Sequence, residues 1–351
     1  MAQKFYQGID LFDDVLNEIG AKKFFLVCDA SFDFLSIKDA ILSSKIKYVM
    51  FNSFTANPLH SDADIGRALF EKEQCDVIVA VGGGSSMDVA KCIKLDSQKD
   101  IPIIAIPTTA GTGSESTRHI VVYKDGKKES LGNESVIPNI VIFEPMVLKT
   151  LPLYQKKCTM LDALCQGIES YWSINATDET RVISKKAICT IVAYMDDYIL
   201  NNSEEAFAHI MQGANYSGQA INITQTTAAH AMSYKITSMY KLPHGHAVAI
   251  CLPIVWSKMI NKADNKQIEL FNEIANALGC ESYKEAIEWF KNKLALYGIN
   301  SPKAIDNKDE EVEVLTNEIN LVRLKNNPIV FDKDEIRDMY KEIIQWKSKS
   351  F

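Results

Sequence analysis

The sequence predicts two parts of different class, a parallel α/β domain over residues 1–150 and an all-helical domain over residues 151–351. Three observations predict this. Compact apolar runs that exit into polar or glycine-rich turns recur through the first part, with helix-period stretches between them. From about Leu151 the strand-like runs thin out and long amphipathic stretches take over. A chain of 351 residues, 47% hydrophobic and 24% charged, is long enough to bury two such cores.

Taken in order, "DLFDDVLNEIG" sets Leu11, Phe12, Val15, Leu16 and Ile19 at helical spacing and stops at Gly20, a natural C-terminal signal. "KKFFLVCD" follows as a short buried strand that ends in an acid, Asp29. "IKYVMFN", "CDVIVAVGGGSS" and "IPIIAIPTT" repeat the strand pattern, with "DADIGRALFEKE" and "MDVAKCIKLD" as helices between them, which is the rhythm of βαβ units. The helices expected after the boundary include "KKAICTIVAYMDDYIL", "KQIELFNEIANALG", "SYKEAIEWFKNKLALYG" and "DEIRDMYKEIIQW". No repeat or low-complexity linker separates the parts, so "EPMVLKTLP" is expected to be a tight hinge beside a cleft.

The formal net charge of −7, without a long lysine run, excludes a nucleic-acid partner. The first twenty residues mix acids with apolar residues and lack the layout of a secretory signal, and no window reaches an uninterrupted membrane span. Eight cysteines stand singly, with no CxxC, as expected of reduced thiols in a cytoplasmic protein.

Chemistry concentrates in three places. In "VIVAVGGGSSMDVAK" a buried strand runs into three glycines, two serines and a helix, so that backbone and helix N-terminus can meet an anion such as a pyrophosphate. "AIPTTAGTGSEST" is a second strand exit, rich in hydroxyls, able to reach a ribose, an amide or an adenine edge. Asp29 is placed like the acid that binds an adenosine ribose in doubly wound folds, or it is a cap or turn residue. In "HAMSYKITSMYKLPHGHA", His230 and His244 can face one point if the first lies on one helix and the second opens the next. Two imidazoles need a further donor to hold Fe²⁺ or Zn²⁺, and Asp162, at an apolar helix start in "TMLDALCQGIESYW", is the best source. Singly, each has a plain alternative, a satisfied core histidine or an N-cap.

"GGGSSMDVAK", "IPTTAGTGSE", "DALCQGIESYW" and "HAMSYKITSMYKLPHGHA" occur in the order and approximate spacing of the iron-containing (group III) alcohol dehydrogenases, and over nearly its whole length the chain resembles that family. The resemblance implies a dehydroquinate synthase-like fold, with a Rossmann-like dinucleotide-binding domain, a helical domain and an active site in the cleft. It implies that Gly82, Gly83, Gly84 and Ser85 bind the pyrophosphate of NAD(P), with Asp88 in the same motif. Thr108, Thr109 and Thr112 would line the adenine and nicotinamide sites, Lys128 would lie near the nicotinamide, and Asp29 would favour NAD(H) over NADP(H).

For the metal, Fe²⁺ or Zn²⁺, the resemblance implies Asp162, His230 and His244 as ligands, whereas Gln166 replaces a family histidine. A three-ligand site, weak ligation through Gln166 and metal-free catalysis are the three readings of that replacement. Tyr234 stands where many members carry a proton-relay histidine, and it is either a phenolic donor or a half-buried aromatic. "DALCQGIESYWSINAT" and "INITQTTAAHAMSYKITS" are similar to segments of phosphonoacetaldehyde reductases, a subgroup that makes 2-hydroxyethylphosphonate. Arg118 is then the first candidate for the phosphonate, ahead of Lys128 and Lys235, with His119 and His246 ranked lower. The alternatives are a general small-aldehyde dehydrogenase, a dehydroquinate synthase-type lyase, and a non-enzymatic scaffold. The family also implies a homodimer or larger homo-oligomer.

Overall fold

Uninterrupted runs of Val, Ile and Phe form the sheet of the first unit. The computed structural model describes residues 3–124 and 127–345, without the side chains of Lys127, Lys128 and Gln345. It divides into one unit of Met1–Leu151 with Asn202–Met211 and another of Pro152–Asn201 with Gln212–Phe351.

Six strands, β1 (Lys4–Gln7), β2 (Lys23–Cys28), β3 (Lys47–Phe51), β4 (Val77–Gly82), β5 (Ile103–Pro107) and β8 (Ile140–Phe143), form one sheet in the order β1-β8-β5-β4-β2-β3. Every pairing is parallel. Strands β4 and β5 are buried at every residue, as expected of parallel strands covered on both faces. Helices α1 (Phe12–Glu18), α2 (Lys38–Leu42), α3 (His60–Lys72) and α4 (Gly84–Ser97) lie between the strands, and β6 (His119–Lys124) and β7 (Lys127–Gly132) form an antiparallel hairpin.

The chain steps from β2 to β3 and then returns to place β4 on the other side of β2. This reversal puts a topological switch point at the exits of β2 and β4, where crevices form in doubly wound sheets. The register pairs Cys28 with Val81, so the next residues, Asp29 and Gly82, leave the sheet side by side.

The second unit is helical. It comprises α5 (Leu153–Trp172), α6 (Asp178–Leu200), most of α7 (Glu204–Thr224), α8 (Ala228–Tyr240), α9 (His244–Ile260), α10 (Asn265–Ala277), α11 (Tyr283–Leu296), α12 (Lys308–Asn317), α13 (Leu321–Leu324) and α14 (Lys333–Gln345). No strand follows Phe143 among the described residues. No helix among them is long and apolar enough to cross a membrane.

Trp172, Trp256 and Phe271 pack edge to face in the core of this unit, with centroids 5.4 Å apart between the tryptophans and 5.9 Å from Trp172 to Phe271. Helices α5 and α9 meet at Gly245, where a Cβ would stand 1.9 Å from the Cys158 carbonyl oxygen and 2.9 Å from Asp162 Cβ. Only glycine permits that approach, because the obstacle is backbone. Gly245→Ala is therefore expected to lower unfolding stability by about 1–3 kcal/mol or more, read as a shift of the urea midpoint; an unshifted midpoint would show that the helices separate freely.

Candidate metal and cofactor sites

Helix geometry brings the metal candidates of the second unit together. Asp162 and Gln166 are one turn apart on α5, and Glu169 continues the same face. His230 lies in the first turn of α8 and His244 opens α9. The donor atoms of Asp162, His230 and His244 all lie within 4.8 Å of one another. His230 Nε2 is 3.3 Å from Asp162 Oδ1, and the two imidazole rings are 5.4 Å apart between centroids. Asp162 and His230 are each 3% exposed, so any charge there lies in a site of low dielectric. Asp162 sits in the middle of the 20-residue α5, not at a helix start, so it is no N-cap.

Glu169, fully buried, holds this arrangement from behind. Its Oε1 accepts hydrogen bonds from Thr227 N (3.2 Å), Thr227 Oγ1 (2.7 Å), Ala229 N (2.9 Å) and His230 N (3.3 Å). One carboxylate oxygen thus caps the N-terminus of α8, where the free N–H groups and the helix dipole favour an anion. Its Oε2 is hydrogen-bonded to His230 Nδ1. With Nδ1 so engaged, Nε2 is the ring nitrogen presented to Asp162, the carboxylate–histidine arrangement that orients metal ligands. Burial opposes a proton on His230, but the charge and hydrogen bond of Glu169 and the nearby charge of Asp162 outweigh it and raise the pKa to about 9.

The residues present fit a divalent cation. Gln166 Oε1 and His230 Nε2 are buried polar atoms that make no hydrogen bond, although leaving such groups unsatisfied is costly. Both belong to the donor set that the resemblance implies, and carboxylate, imidazole and amide oxygen together suit Fe²⁺ or Zn²⁺.

Tyr234 stacks on His244, with ring centroids 5.5 Å apart and planes 8° from parallel. Burial pushes its phenol up, while a hydrogen bond from Arg323 pulls the other way. Arg323, in the single turn α13, also donates from Nη1 to Gln225 Oε1 at 2.9 Å. Sequence reading found neither Glu169 nor Arg323. The spacing of Asp162, Gln166 and Glu169 on one helical face was a signal for the first; Arg323 lies far along the chain with no local pattern.

His246 is committed elsewhere, with Nδ1 on the Tyr154 hydroxyl and Nε2 on the Asn300 carbonyl oxygen, both at 2.7 Å. Lys235 pairs with Glu318 at 2.9 Å.

In the first unit, α4 begins at the three glycines with no side-chain cap on its N-terminus. Gly82 has φ +146°, and a Cβ there would stand 2.2 Å from Ser86 Oγ and 3.5 Å from Asp29 Oδ2. Thr109 and Thr112 back the loop, with Thr109 Oγ1 3.2 Å from a Cβ at Gly83 and Thr112 Cγ2 3.1 Å from one at Gly84. Thr108 N donates to the Gly82 carbonyl oxygen at 3.0 Å. Ser86 Oγ is buried with no hydrogen-bond partner, and Ser85 Oγ donates to the Ala56 carbonyl oxygen at 2.5 Å. An uncapped helix N-terminus at a glycine cradle fits a pyrophosphate.

Asp29 caps the short 3₁₀ turn after β2, its Oδ1 accepting from Ser31 N (2.8 Å) and Ser31 Oγ (2.5 Å). Its cap role and its position beside Gly82 coexist. Asp88 accepts from Ser114 Oγ at 3.2 Å, and the same hydroxyl accepts from the buried Lys91 Nζ at 2.9 Å. Arg118 Nη1 pairs with Glu134 at 2.5 Å. The His119 carbonyl oxygen accepts from Lys91 Nζ at 3.1 Å. Lys128 lies on β7 opposite Tyr123, with its side chain outside the described residues.

Comparison with known proteins agrees with this geometry. Residues 2–145 match the profile of iron-containing alcohol dehydrogenase, and residues 157–344 match the C-terminal profile of the Fe-containing alcohol dehydrogenase family. The NAD-dependent methanol dehydrogenase of Bacillus methanolicus is 28% identical over 358 residues, 94% of each chain. The phosphonoacetaldehyde reductase of Streptomyces viridochromogenes is 34% identical over 206 residues, 51% of this chain and 52% of that one. Among solved structures, the sulfoacetaldehyde reductase of Bifidobacterium kashiwanohense in complex with NAD⁺ superposes with a TM-score of 0.90 at 25% identity, covering 98% of each chain. A Rossmann-like unit, a helical unit and two profiles that span nearly the whole sequence establish that this chain belongs to the iron-containing alcohol dehydrogenase family, as an NAD(P)-dependent alcohol–aldehyde oxidoreductase.

Proposed function

We propose that the chain reduces a small aldehyde carrying a compact tetrahedral anion, phosphonoacetaldehyde to 2-hydroxyethylphosphonate, with NADH as the reductant. The observation that carries this reading is the guanidinium of Arg323, hydrogen-bonded to the tyrosine that stacks on His244. A planar guanidinium suits a phosphonate or sulfonate, which accepts paired N–H bonds. Phosphonoacetaldehyde and sulfoacetaldehyde, named for the two relatives above, share an aldehyde one carbon away from such an anion. Arg118, the first candidate from sequence, pairs with Glu134, and Lys235 with Glu318; Arg323 is preferred for the anion because it joins the tyrosine that stacks on His244.

In this reading Asp162, Gln166, His230 and His244 hold the metal, and Glu169 fixes the His230 tautomer so that Nε2 faces it. When bound, the divalent ion supplies Lewis-acid polarisation of the carbonyl, and the dinucleotide supplies the hydride. Tyr234 holds a proton on its phenolic oxygen, a state its raised pKa maintains, and is placed to give it to the developing alkoxide or to relay it. Tyr234 stacks nearly parallel on His244, which favours a common orientation of the proton donor and the metal ligand. The Gly82–Gly84 loop and the N-terminus of α4 bind the pyrophosphate, while the Asp29 carboxylate repels a 2′-phosphate and so favours NADH.

Three outcomes follow. Protein reconstituted with Fe²⁺ or Zn²⁺ should consume NADH far faster with phosphonoacetaldehyde than with propionaldehyde or glycolaldehyde, and chelator should abolish the rate; equal turnover of the neutral aldehydes would leave a general small-aldehyde reductase. Arg323→Met should lower the kcat/KM ratio of phosphonoacetaldehyde to propionaldehyde by about 10–100-fold, the worth of a charged hydrogen bond, and an unchanged ratio would remove Arg323 from the anion site. Glu169→Gln should weaken divalent-metal affinity by about 10–100-fold, measured by competition with a chromophoric chelator, and undiminished affinity would show that the buried carboxylate does not support the ligands.

A further inference from the structure

A second cluster of metal-ligating side chains lies in the first unit, in residues that neither the cofactor loop nor the metal site above employs. His60 opens α3 and Asp64 lies one turn on; Cys92 and Asp96 are one turn apart on α4. Helices α3 and α4 approach closely because α3 carries Gly66, where a Cβ would stand 2.7 Å from Ile93 Cδ1. That contact brings the two pairs face to face. Asp96 Oδ2 lies 3.5 Å from His60 Nε2 and 3.5 Å from Cys92 Sγ, and the donor atoms of the three residues all fall within 4.8 Å of one another.

We propose that His60, Cys92 and Asp96 form a second, non-catalytic site for a borderline-soft divalent cation of the zinc class, one that staples α3 to α4. Ligands of one tetrahedral ion, held by bonds of about 2.0–2.3 Å, stand roughly 3.3–3.8 Å apart, and two of the three separations here already have that value. A mixed sulfur, nitrogen and carboxylate set selects zinc-like ions over magnesium or calcium. The outer carboxylate is also in place, since Asp64 Oδ2 is 3.4 Å from His60 Nδ1 and its other oxygen is 3.8 Å from Arg67 Nη2. With that carboxylate facing Nδ1, Nε2 is the nitrogen turned toward Asp96 and free to serve as the ligand. The side chains of His60 and Asp96 are 21% and 25% exposed, giving an ion a way in, while Cys92 is buried beneath them. Binding exchanges the thiol proton of Cys92 for the metal and releases that proton to solvent, with no change of oxidation state.

Cobalt(II) separates this site from the catalytic one, because Asp162, Gln166, His230 and His244 contain no sulfur and give no thiolate-to-cobalt charge-transfer absorption. Metal-free full-length protein titrated with Co²⁺ should develop such a band in the near ultraviolet, saturating at one ion per band-forming site and bleaching on addition of Zn²⁺. The band should vanish in Cys92→Ser and weaken at least about tenfold in apparent affinity in His60→Ala, a substitution at a partly exposed position. No band in the native protein, or one that survives either substitution unchanged, would overturn the proposal. The readout is independent of aldehyde turnover.

Discussion

The buried carboxylate of Glu169 is the interaction on which the candidate metal site of the helical unit depends. An ionised acid with no exposure is costly unless it is fully hydrogen-bonded, and Glu169 gathers three backbone N–H groups, one hydroxyl and one imidazole. Those bonds join α5 to the start of α8 and fix the backbone and ring of His230 in one step. The same network reaches the aromatic core, because Trp172 Nε1 donates to Thr227 Oγ1 at 2.9 Å. Loss of these hydrogen bonds would therefore loosen a helix cap, the His230 ring and a core contact together.

Close approach at a glycine recurs beside three groups of candidate site residues. Gly245 lets α9 bring His244 against the Asp162 face of α5. Gly82 leaves the end of β4 open beside Asp29, at the switch point where strand order reverses. Gly66 does the same for α3 and α4. In each case the neighbour is a polar or thiol side chain or lies next to one, so these glycines set where the candidate site residues stand.

Much of this was legible in the sequence because it is encoded locally. Apolar runs with abrupt polar exits marked β2, β3, β4 and β5, and helical periodicity with a final glycine marked α1. His230 and His244 lie on consecutive helices, as their spacing and the intervening proline implied. The strands β1 and β8 escaped notice, being four residues each, too short for a period to emerge. Asp162 was read as near a helix start, yet α5 begins nine residues earlier, at the unremarkable "LYQKK" after Pro152. Glu169 and Arg323 act through partners distant in sequence, Thr227 to His230 and Tyr234; the i, i+4, i+7 spacing from Asp162 marks Glu169 only as sharing a helical face, and no local pattern announces Arg323. Arg118 was chosen for its guanidinium and its place in "STRHIV" after the hydroxyl-rich loop, whereas its pairing with Glu134 is a tertiary fact that no local pattern carries.

The most direct test of the catalytic account is the ligand shell of the metal itself, recorded by X-ray absorption on Cys92→Ser protein loaded with one equivalent of Zn²⁺, so that only the sulfur-free site is occupied. The account predicts a shell of nitrogen and oxygen donors with the multiple-scattering signature of two imidazoles, which falls to one in the additional His230→Ala variant. A shell without imidazole, or one unaltered by that substitution, would contradict it.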